Sequence, residues 1–224
     1  MSPFELKMKL DLADDRARFV KEHSLLDKEH SLSDEMNVIV TDDGSMHFFD
    51  DEGNDITKSV ESIKKYEFND CSSLTSIVIP NSVASIGKGA FCRCSNLKSI
   101  VIPDSVTSIE NYAFSWCKSL TSIIIPDSVT SIGCYAFSWC SSLTNVIIPD
   151  SVTSIGKYVF GYCLSLKSIV IPESIESIGY DAFYYCSSLK RIVFKDKTLE
   201  EVKSMYCCPW GVEDESVFKA EKKA

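Results

Sequence analysis

The sequence predicts a repeat solenoid of the α/β class, in which coils of short parallel strands and short helices stack on one another and are capped at both ends. The first observation is a constant step of 23 residues between the prolines at 80, 103, 126, 149 and 172. A period of roughly 20–50 residues is the signature of stacked repeats. The second observation is that three apolar columns keep the same step. These columns are Phe68, Phe91, Phe114, Phe137, Phe160 and Phe183; Cys71, Cys94, Cys117, Cys140, Cys163 and Cys186; and Leu74, Leu97, Leu120, Leu143, Leu166 and Leu189.

The unit that begins at Cys117 predicts how one coil folds. Leu120, Ile123 and Ile125 follow the spacing L-x-x-L-x-L, in which a short strand sends three side chains inward. Pro126 ends that strand, because it has no N–H to donate to a sheet. A second extended piece follows, and residues 134–140 then predict a short helix. A single coil cannot bury its apolar side, whereas stacked coils form one continuous core.

The columns divide the chain into three parts. Residues 1–55 form an acidic N-terminal cap, with a helix over 4–32 and a hairpin formed by 37–40 and 46–49. Residues 56–194 form the leucine-rich repeat solenoid of about six 23-residue coils. Residues 195–224 form a C-terminal cap, with a helix over 198–206 and an extended closing segment near Val217 and Phe218. Both caps are needed because a bare terminal coil would expose core to water.

Charge and hydropathy indicate which partners and which location to expect. Residues 1–55 carry 15 acidic and 6 basic side chains, whereas residues 56–224 carry 17 of each. A nucleic-acid partner is not expected, because phosphate binding needs a basic face. Membrane insertion is not expected either, because no run of about 18 apolar residues occurs. The first residues lack the apolar region of a signal peptide, so the expected location is the cytoplasm. The alternative is the cell surface or secretion.

The repeat motif also carries a family resemblance. The pattern C-x-x-L-x-x-I-x-I-P-x-x-V-x-x-I-G-x-x-A-F, over about residues 60–194, resembles the BspA-type (Treponema-type) leucine-rich repeat. Residues 198–205 and 209–212 resemble the C-terminal cap of many proteins in that family. The resemblance implies a binding scaffold and not a catalyst.

Cysteines and histidines give no catalytic or metal site. A packed, reduced cysteine column is favoured over disulfides, because buried cysteine behaves as a small apolar residue. Cys92 with Cys94, and Cys207 with Cys208, fit no zinc spacing. The three histidines, at 23, 30 and 47, lie outside the repeats, and no nucleophile or phosphate-binding motif occurs. We therefore expect no enzyme activity, no metal and no cofactor; a thiol-dependent enzyme is the weakest alternative.

A row of acidic residues lies at the turns that follow the prolines: Asp104, Asp127, Asp150 and Glu173, preceded by Asn81. Stacked like charges of this kind attract cations. Short polar side chains that bond their own backbone are also typical turn residues, and this explanation is favoured here.

Two stripes remain as candidate binding surfaces. The first lies between the inward residues of each main strand, on the outer face of the sheet: Val78, Val101, Ile124, Ile147, Val170 and Val193. An aliphatic line with small polar neighbours is typical of a protein-binding groove. The alternative is that β-branched residues simply favour a sheet.

The second stripe is aromatic and lies in the predicted short helices. Its members are Tyr112, Trp116, Tyr135, Trp139, Tyr158 and Tyr162, with Tyr185 as an extension. Aromatic residues are frequent hot spots of interfaces. The alternative is that the rings pack only on one another along the stack.

Three functions follow from these observations. The first is a non-catalytic module that binds another protein through the outer face of the sheet. The second is a surface or host-directed adhesin or effector that binds protein or glycan through the aromatic stripe. The third is the thiol-dependent enzyme. The sequence does not name the partner.

Overall fold

The computed structural model describes residues 37–40, 45–49, 54–198, 200–202, 211–212 and 215–221. The helix predicted over 4–32 lies outside the described residues, as do Cys207 and Cys208 and much of the helix predicted over 198–206. Within the described part of the chain, no helix is long and apolar enough to cross a membrane.

The predicted hairpin is present and begins the structure. Strands β1 (Asn37–Val40) and β2 (Met46–Phe49) pair antiparallel. Met46 and Phe48 are buried in the same core cluster as the repeats. A 3-10 turn at Thr57–Ser59 leads into the first coil, and the N–H of Ile56 donates to the carbonyl oxygen of Phe48 at 2.8 Å. The hairpin therefore shares the core of the solenoid.

Each coil contributes two short strands, and equivalent strands of successive coils run parallel. The shorter strands form one six-stranded sheet: β3 (Ser62–Ile63), β5 (Ser85–Ile86), β7 (Ser108–Ile109), β9 (Ser131–Ile132), β11 (Ser154–Ile155) and β13 (Ser177–Ile178). The longer strands are β4 (Ser76–Val78), β6 (Ser99–Val101), β8 (Ser122–Ile124), β10 (Asn145–Ile147), β12 (Ser168–Ile171) and β14 (Arg191–Lys195). Among them, β4 pairs with β6, β8 with β10, and β12 with β14. The predicted repeat solenoid is thus confirmed.

The long strands of neighbouring coils pair in register, so that equivalent repeat positions lie opposite each other. Ile124 pairs with Ile147 in β8 and β10, and Val170 pairs with Val193 in β12 and β14. Each longer strand alternates exposed, buried and exposed side chains in the central coils, as in Ser122, Ile123 and Ile124. The alternation predicted from sequence therefore gives one inward and one outward aliphatic row.

Ring stacks and buried thiols fill the core. Successive rings of the phenylalanine column from Phe68 to Phe183 lie nearly parallel, with centroids 5.2 to 5.8 Å apart. The described cysteines, which include the whole predicted column, are thiols and form no disulfides. From the second coil onward, each column thiol donates to the carbonyl oxygen of a phenylalanine in the preceding coil. For example, Cys163 Sγ lies 3.3 Å from the oxygen of Phe137.

The predicted short helix is wrong in detail: the segment is a run of turns. In the central coils, two of its residues, such as Tyr112 and Trp116, have φ near +60°, which an α-helix does not permit. The backbone adopts this form because alternate N–H groups leave the coil. Those of Tyr112 and Trp116 donate to the carbonyl oxygens of Cys134 and Ser138 in the next coil, at 2.9 and 2.8 Å. The turns thus form a third ladder along the stack.

Close packing between the backbones of adjacent coils explains the glycine column. A Cβ at Gly133 would lie 2.5 Å from the backbone nitrogen of Asn111, and one at Gly156 would lie 2.5 Å from that of Cys134. Where the column instead has Glu110, its N–H lies 3.2 Å from the carbonyl oxygen of Ile86, compared with 2.8 Å between Gly133 and Ile109. Glutamate is therefore tolerated with a slightly wider spacing between two coils.

The C-terminal end is closed by an added strand. After a 3-10 turn at Glu215–Val217, β15 (Phe218–Glu221) pairs parallel with β14, which confirms the extended closing segment. Residues 200–202 are helical. Thr198 and Glu201 form a reciprocal capping box: the N–H of Thr198 donates to Glu201 Oε2 at 2.6 Å, and the N–H of Glu201 donates to Thr198 Oγ1 at 3.2 Å.

Candidate interaction surfaces

The outer aliphatic row is the most exposed apolar feature of the long strands. Val101, Ile124, Ile147 and Val170 are between 42% and 68% exposed, although their inward neighbours are buried. Side chains at this spacing lie about 4.8 Å apart along the stack. We call these four residues the β-face row. Large aliphatic side chains so exposed and so regularly aligned favour contact with another apolar surface.

The two end members of the predicted row are less exposed than its four central members. Val78 is only partly exposed and forms an isolated parallel bridge with Ser45. Val193 is 5% exposed, contrary to its predicted exposure. It pairs with Lys219 of the closing strand β15, so the sheet continues beyond it and the next outward position is a lysine. The usable part of the row is therefore the four central coils.

Charged residues of opposite sign border the β-face row. On the side where the long strands begin, the exposed charged residues of coils two to six are all basic, although the fourth coil has none: Lys98, Lys118, Lys167, Lys190 and Arg191. No acidic residue occurs at positions 94–99, 117–122, 140–145, 163–168 or 186–191. We call this side the basic margin. Sequence reasoning missed it because its lysines occupy two different columns and alternate with serine and threonine.

The predicted acidic row lies on the other side, where the long strands end. Asp104, Asp127, Asp150 and Glu173 are exposed there, and we call them the acidic margin. Lys195 Nζ lies 3.8 Å from Asp150 Oδ1. Among the described residues, no three potential ligands come together as a metal site. The serine that follows each margin residue binds back to the preceding coil, as Ser151 Oγ does to the oxygen of Val129 at 2.7 Å. Turn chemistry therefore accounts for this position.

The aromatic stripe forms two ring stacks along the turns. Tyr135 stacks on Tyr112 and Tyr158 with centroids 4.8 and 5.0 Å apart. Trp139 stacks between Trp116 and Tyr162, at 4.4 and 3.9 Å. These six side chains are partly buried. Because the ring faces contact one another, mainly their edges remain for solvent.

The two ring stacks end at the sixth coil. Tyr184 packs edge-on against both Tyr158 and Tyr162, with interplanar angles of 70° and 74°. Tyr185 is 60% exposed and only tilted against Tyr162. The pKa of Tyr158 is raised, chiefly by its hydrogen bond to the Asp181 carboxylate. This tyrosine-rich end is the part of the stripe with accessible aromatic surface.

The thiols are poor nucleophiles. Burial raises the pKa of Cys94, Cys117 and Cys163 well above the usual value. Burial also raises the pKa of Cys92 and Cys186 to about 12. A reactive cysteine needs a depressed pKa and an accessible sulfur. These five thiols have a raised pKa instead.

The chain matches the family model described as BspA type leucine rich repeat region, in six copies, over residues 52–126 and 107–208. These ranges cover more than half of the chain, which therefore belongs to the BspA-type leucine-rich repeat family, as its motif indicated. No curated protein matches the sequence.

Two solved structures resemble the fold. A leucine-rich repeat protein from T. pallidum, TpLRR, is 24% identical with a TM-score of 0.58, and the match covers 82% of this chain and 100% of that chain. The pneumococcal vaccine antigen PcpA is 20% identical with a TM-score of 0.56, and the match covers 87% of this chain and 49% of that chain. At these identities the likeness establishes the fold alone.

Proposed function

We propose that the protein is a non-catalytic interaction module that binds another protein through the β-face row and its two charged margins. The observation that carries the proposal is the exposure of Ile124, which is 68% exposed on β8, a strand that pairs with β10 in register. An apolar centre with a polar rim is the usual anatomy of a protein interface. The rigid stack holds the row in place before binding, which lowers the entropy lost on association.

A non-catalytic role is supported by the chemistry of the described residues. The column thiols from Cys94 to Cys163 are buried and have a raised pKa, and they already donate to backbone carbonyl oxygens, as Cys140 does to Phe114 at 3.2 Å. The serine of each turn after the prolines also donates to a backbone carbonyl oxygen, as Ser105 does to Val83 at 2.6 Å. These groups maintain the fold and do not converge on a substrate.

The experiment is a pull-down from the native lysate, with partners identified by mass spectrometry. Ile124→Asp with Ile147→Asp should abolish capture, because two charges at the centre of an apolar contact would be desolvated on binding. Thr130→Asp with Thr153→Asp is the matched control, since it adds the same charges at exposed positions of the same coils beside the other sheet. Equal capture by both double variants would remove the β-face proposal.

A second candidate is a surface or host-directed protein that binds protein or glycan at the tyrosine-rich end of the aromatic stripe. Tyr180, Tyr184 and Tyr185 are all exposed there and favour this candidate. Tyr185→Ala should then reduce binding while leaving capture through Ile124 intact. Cell fractionation separates the two proposals, because the first expects the protein in the cytoplasm and the second expects it outside the cell.

A further inference from the structure

We infer that the β-face row binds a second copy of this chain, so that two solenoids associate face to face with their strands antiparallel. The inference rests on the proposed function, because it uses the same face and names its partner. What points to a second copy is the symmetric placement of charge on either side of the row.

The β-face row lies midway between the two margins. Val101 comes three residues after Lys98 and three residues before Asp104. Val170 has the same spacing to Lys167 and Glu173. Because a strand rises about 3.3 Å per residue, three residues of extended chain place each margin at most roughly 10 Å from the row. At coils two and five the face is therefore apolar at its centre, basic on one side and acidic on the other, whereas coils three and four have Thr121 and Thr144 at the basic position.

This arrangement complements itself under one two-fold rotation. An axis parallel to the solenoid axis reverses the strand direction of the second copy and keeps coil opposite coil. Row then meets row, and each basic margin meets an acidic margin, with Lys98 facing Asp104 and Lys167 facing Glu173. A two-fold axis along the strands would instead place acid on acid. Closed symmetry of this isologous kind is the commonest form of homo-oligomer.

The contact between two such faces is small. The face is at most about 20 Å wide between margins and, over four coils, about 20 Å long. This is smaller than the roughly 800 Å² per partner of a standard stable interface. The association should therefore be weak, with a dissociation constant in the micromolar range or above, and steered by charge.

Sedimentation velocity on the full chain, from about 5 µM to about 500 µM, tests the inference. The wild type should pass from monomer towards dimer as the concentration rises. Lys98→Glu with Lys167→Glu gives a face with two acidic margins, and Asp104→Lys with Glu173→Lys gives one with two basic margins. Each variant alone should dimerise at least about tenfold more weakly, because like charges then oppose each other.

The decisive sample is an equimolar mixture of the two charge variants. Their margins are complementary, so the mixture should form a heterodimer at concentrations where each variant alone is monomeric. Loss of folding cannot produce this recovery. Lys58→Glu with Lys157→Glu, two exposed lysines away from the face, is the matched control and should dimerise like the wild type.

The outcomes separate this inference from the proposed function. A wild type that stays monomeric throughout, or a mixture without recovery, overturns the self-association. If such a monomer still captures a different protein through Ile124 and Ile147, the proposed function stands and only its partner was misassigned. If the mixture recovers but the double aspartate variant still captures its lysate partner, self-association stands and the face is not the site for that partner.

Discussion

The thiol of Cys117 donates a hydrogen bond to the main-chain carbonyl oxygen of Phe91, 3.2 Å away in the preceding coil. The same bond joins Cys94 to Phe68 at 3.0 Å and recurs in every later coil. Its donor is buried, and burial raises the pKa of the Cys117 thiol well above the usual value. The cysteine column thus links adjacent coils by weak S–H···O bonds, and ionisation of the thiols would remove these bonds.

We expect alkaline pH to destabilise the fold through these thiols. Burial raises the pKa of Cys186 to about 12 and that of Cys163 well above the usual value. A folded pKa above the unfolded value of about 8.5 gives stability that is complete below about pH 8.5 and is lost as the pH rises towards the folded value. Urea unfolding at about pH 7, 8.5 and 10, which lie below, at and above the unfolded pKa of about 8.5, measures the loss of stability.

The control for this prediction is Cys117→Ala, which removes one ionising group. Its stability should fall less steeply above pH 8.5, by up to about 1.4 kcal/mol per pH unit relative to the wild type. An equal slope in both proteins would show that the column does not carry the alkaline loss.

Phe137→Ala should lower the free energy of unfolding by about 3–5 kcal/mol, because it opens a cavity in the core. Phe137 is fully buried and stacks on Phe114 and Phe160, at 5.5 and 5.7 Å. Urea denaturation followed by circular dichroism gives the difference. Ile124→Ala is the matched control, since its exposed side chain buries little area and should change stability by less than about 0.5 kcal/mol. A loss below about 1 kcal/mol for Phe137→Ala would contradict this account of the core.

Periodicity predicted the solenoid, its inward columns and its outward row. It could do so because residues that are 23 positions apart have the same environment in successive coils. It did not predict the turn segment correctly. The pair Tyr112 and Trp116 has the i, i+4 spacing of a helix, but both residues have positive φ. The N–H groups that a helix would bond internally are bonded to the next coil, and a contact between coils cannot be read from spacing within one coil.

The sequence also predicted the exposure of some residues of the candidate surface and not of others. Alternation along β8 predicted the exposure of Ile124, because it depends only on the strand. Val193 has the same column position but is buried, because the alternation fails in β14, where three consecutive residues are buried. This strand pairs with the C-terminal strand β15, which lies outside the repeat period. Repeated positions were therefore predictable, and positions at the ends of the stack were not.

Gly133→Ala should destabilise the fold by about 1–3 kcal/mol, although φ at Gly133 is not in the left-handed region. The added Cβ would lie 2.5 Å from the backbone nitrogen of Asn111 and 2.7 Å from the backbone carbon of Glu110. Backbone atoms cannot move aside as a flexible side chain does. Glu110→Ala keeps the Cβ already present in this column and is the control, with an expected change below about 0.5 kcal/mol. Thermal or urea unfolding that ranks the two variants equally would contradict the close-packing account.

Tyr135→Gly should be more stable than Tyr135→Ala, the reverse of the usual order of these two residues. Both variants lose the ring that stacks between Tyr112 and Tyr158. Tyr135 has φ +58°, a conformation that costs an L-residue with a Cβ about 1–2 kcal/mol and costs glycine almost nothing. The protein already has a glycine in this column, Gly89, with φ +63°. We therefore expect Tyr135→Gly to exceed Tyr135→Ala by about 1 kcal/mol in urea unfolding.

The same pair of substitutions at Thr130 provides the control, because Thr130 is exposed and is not among the residues of positive φ. There, Thr130→Gly should be less stable than Thr130→Ala by about 0.5–1 kcal/mol, since glycine loses more backbone freedom on folding. Opposite signs at the two positions would establish that the turn ladder holds its aromatic residues in the left-handed conformation. If alanine is preferred at both positions, the hydrogen bonds between coils do not require the left-handed conformation. The short helix predicted from the spacing would then be favoured.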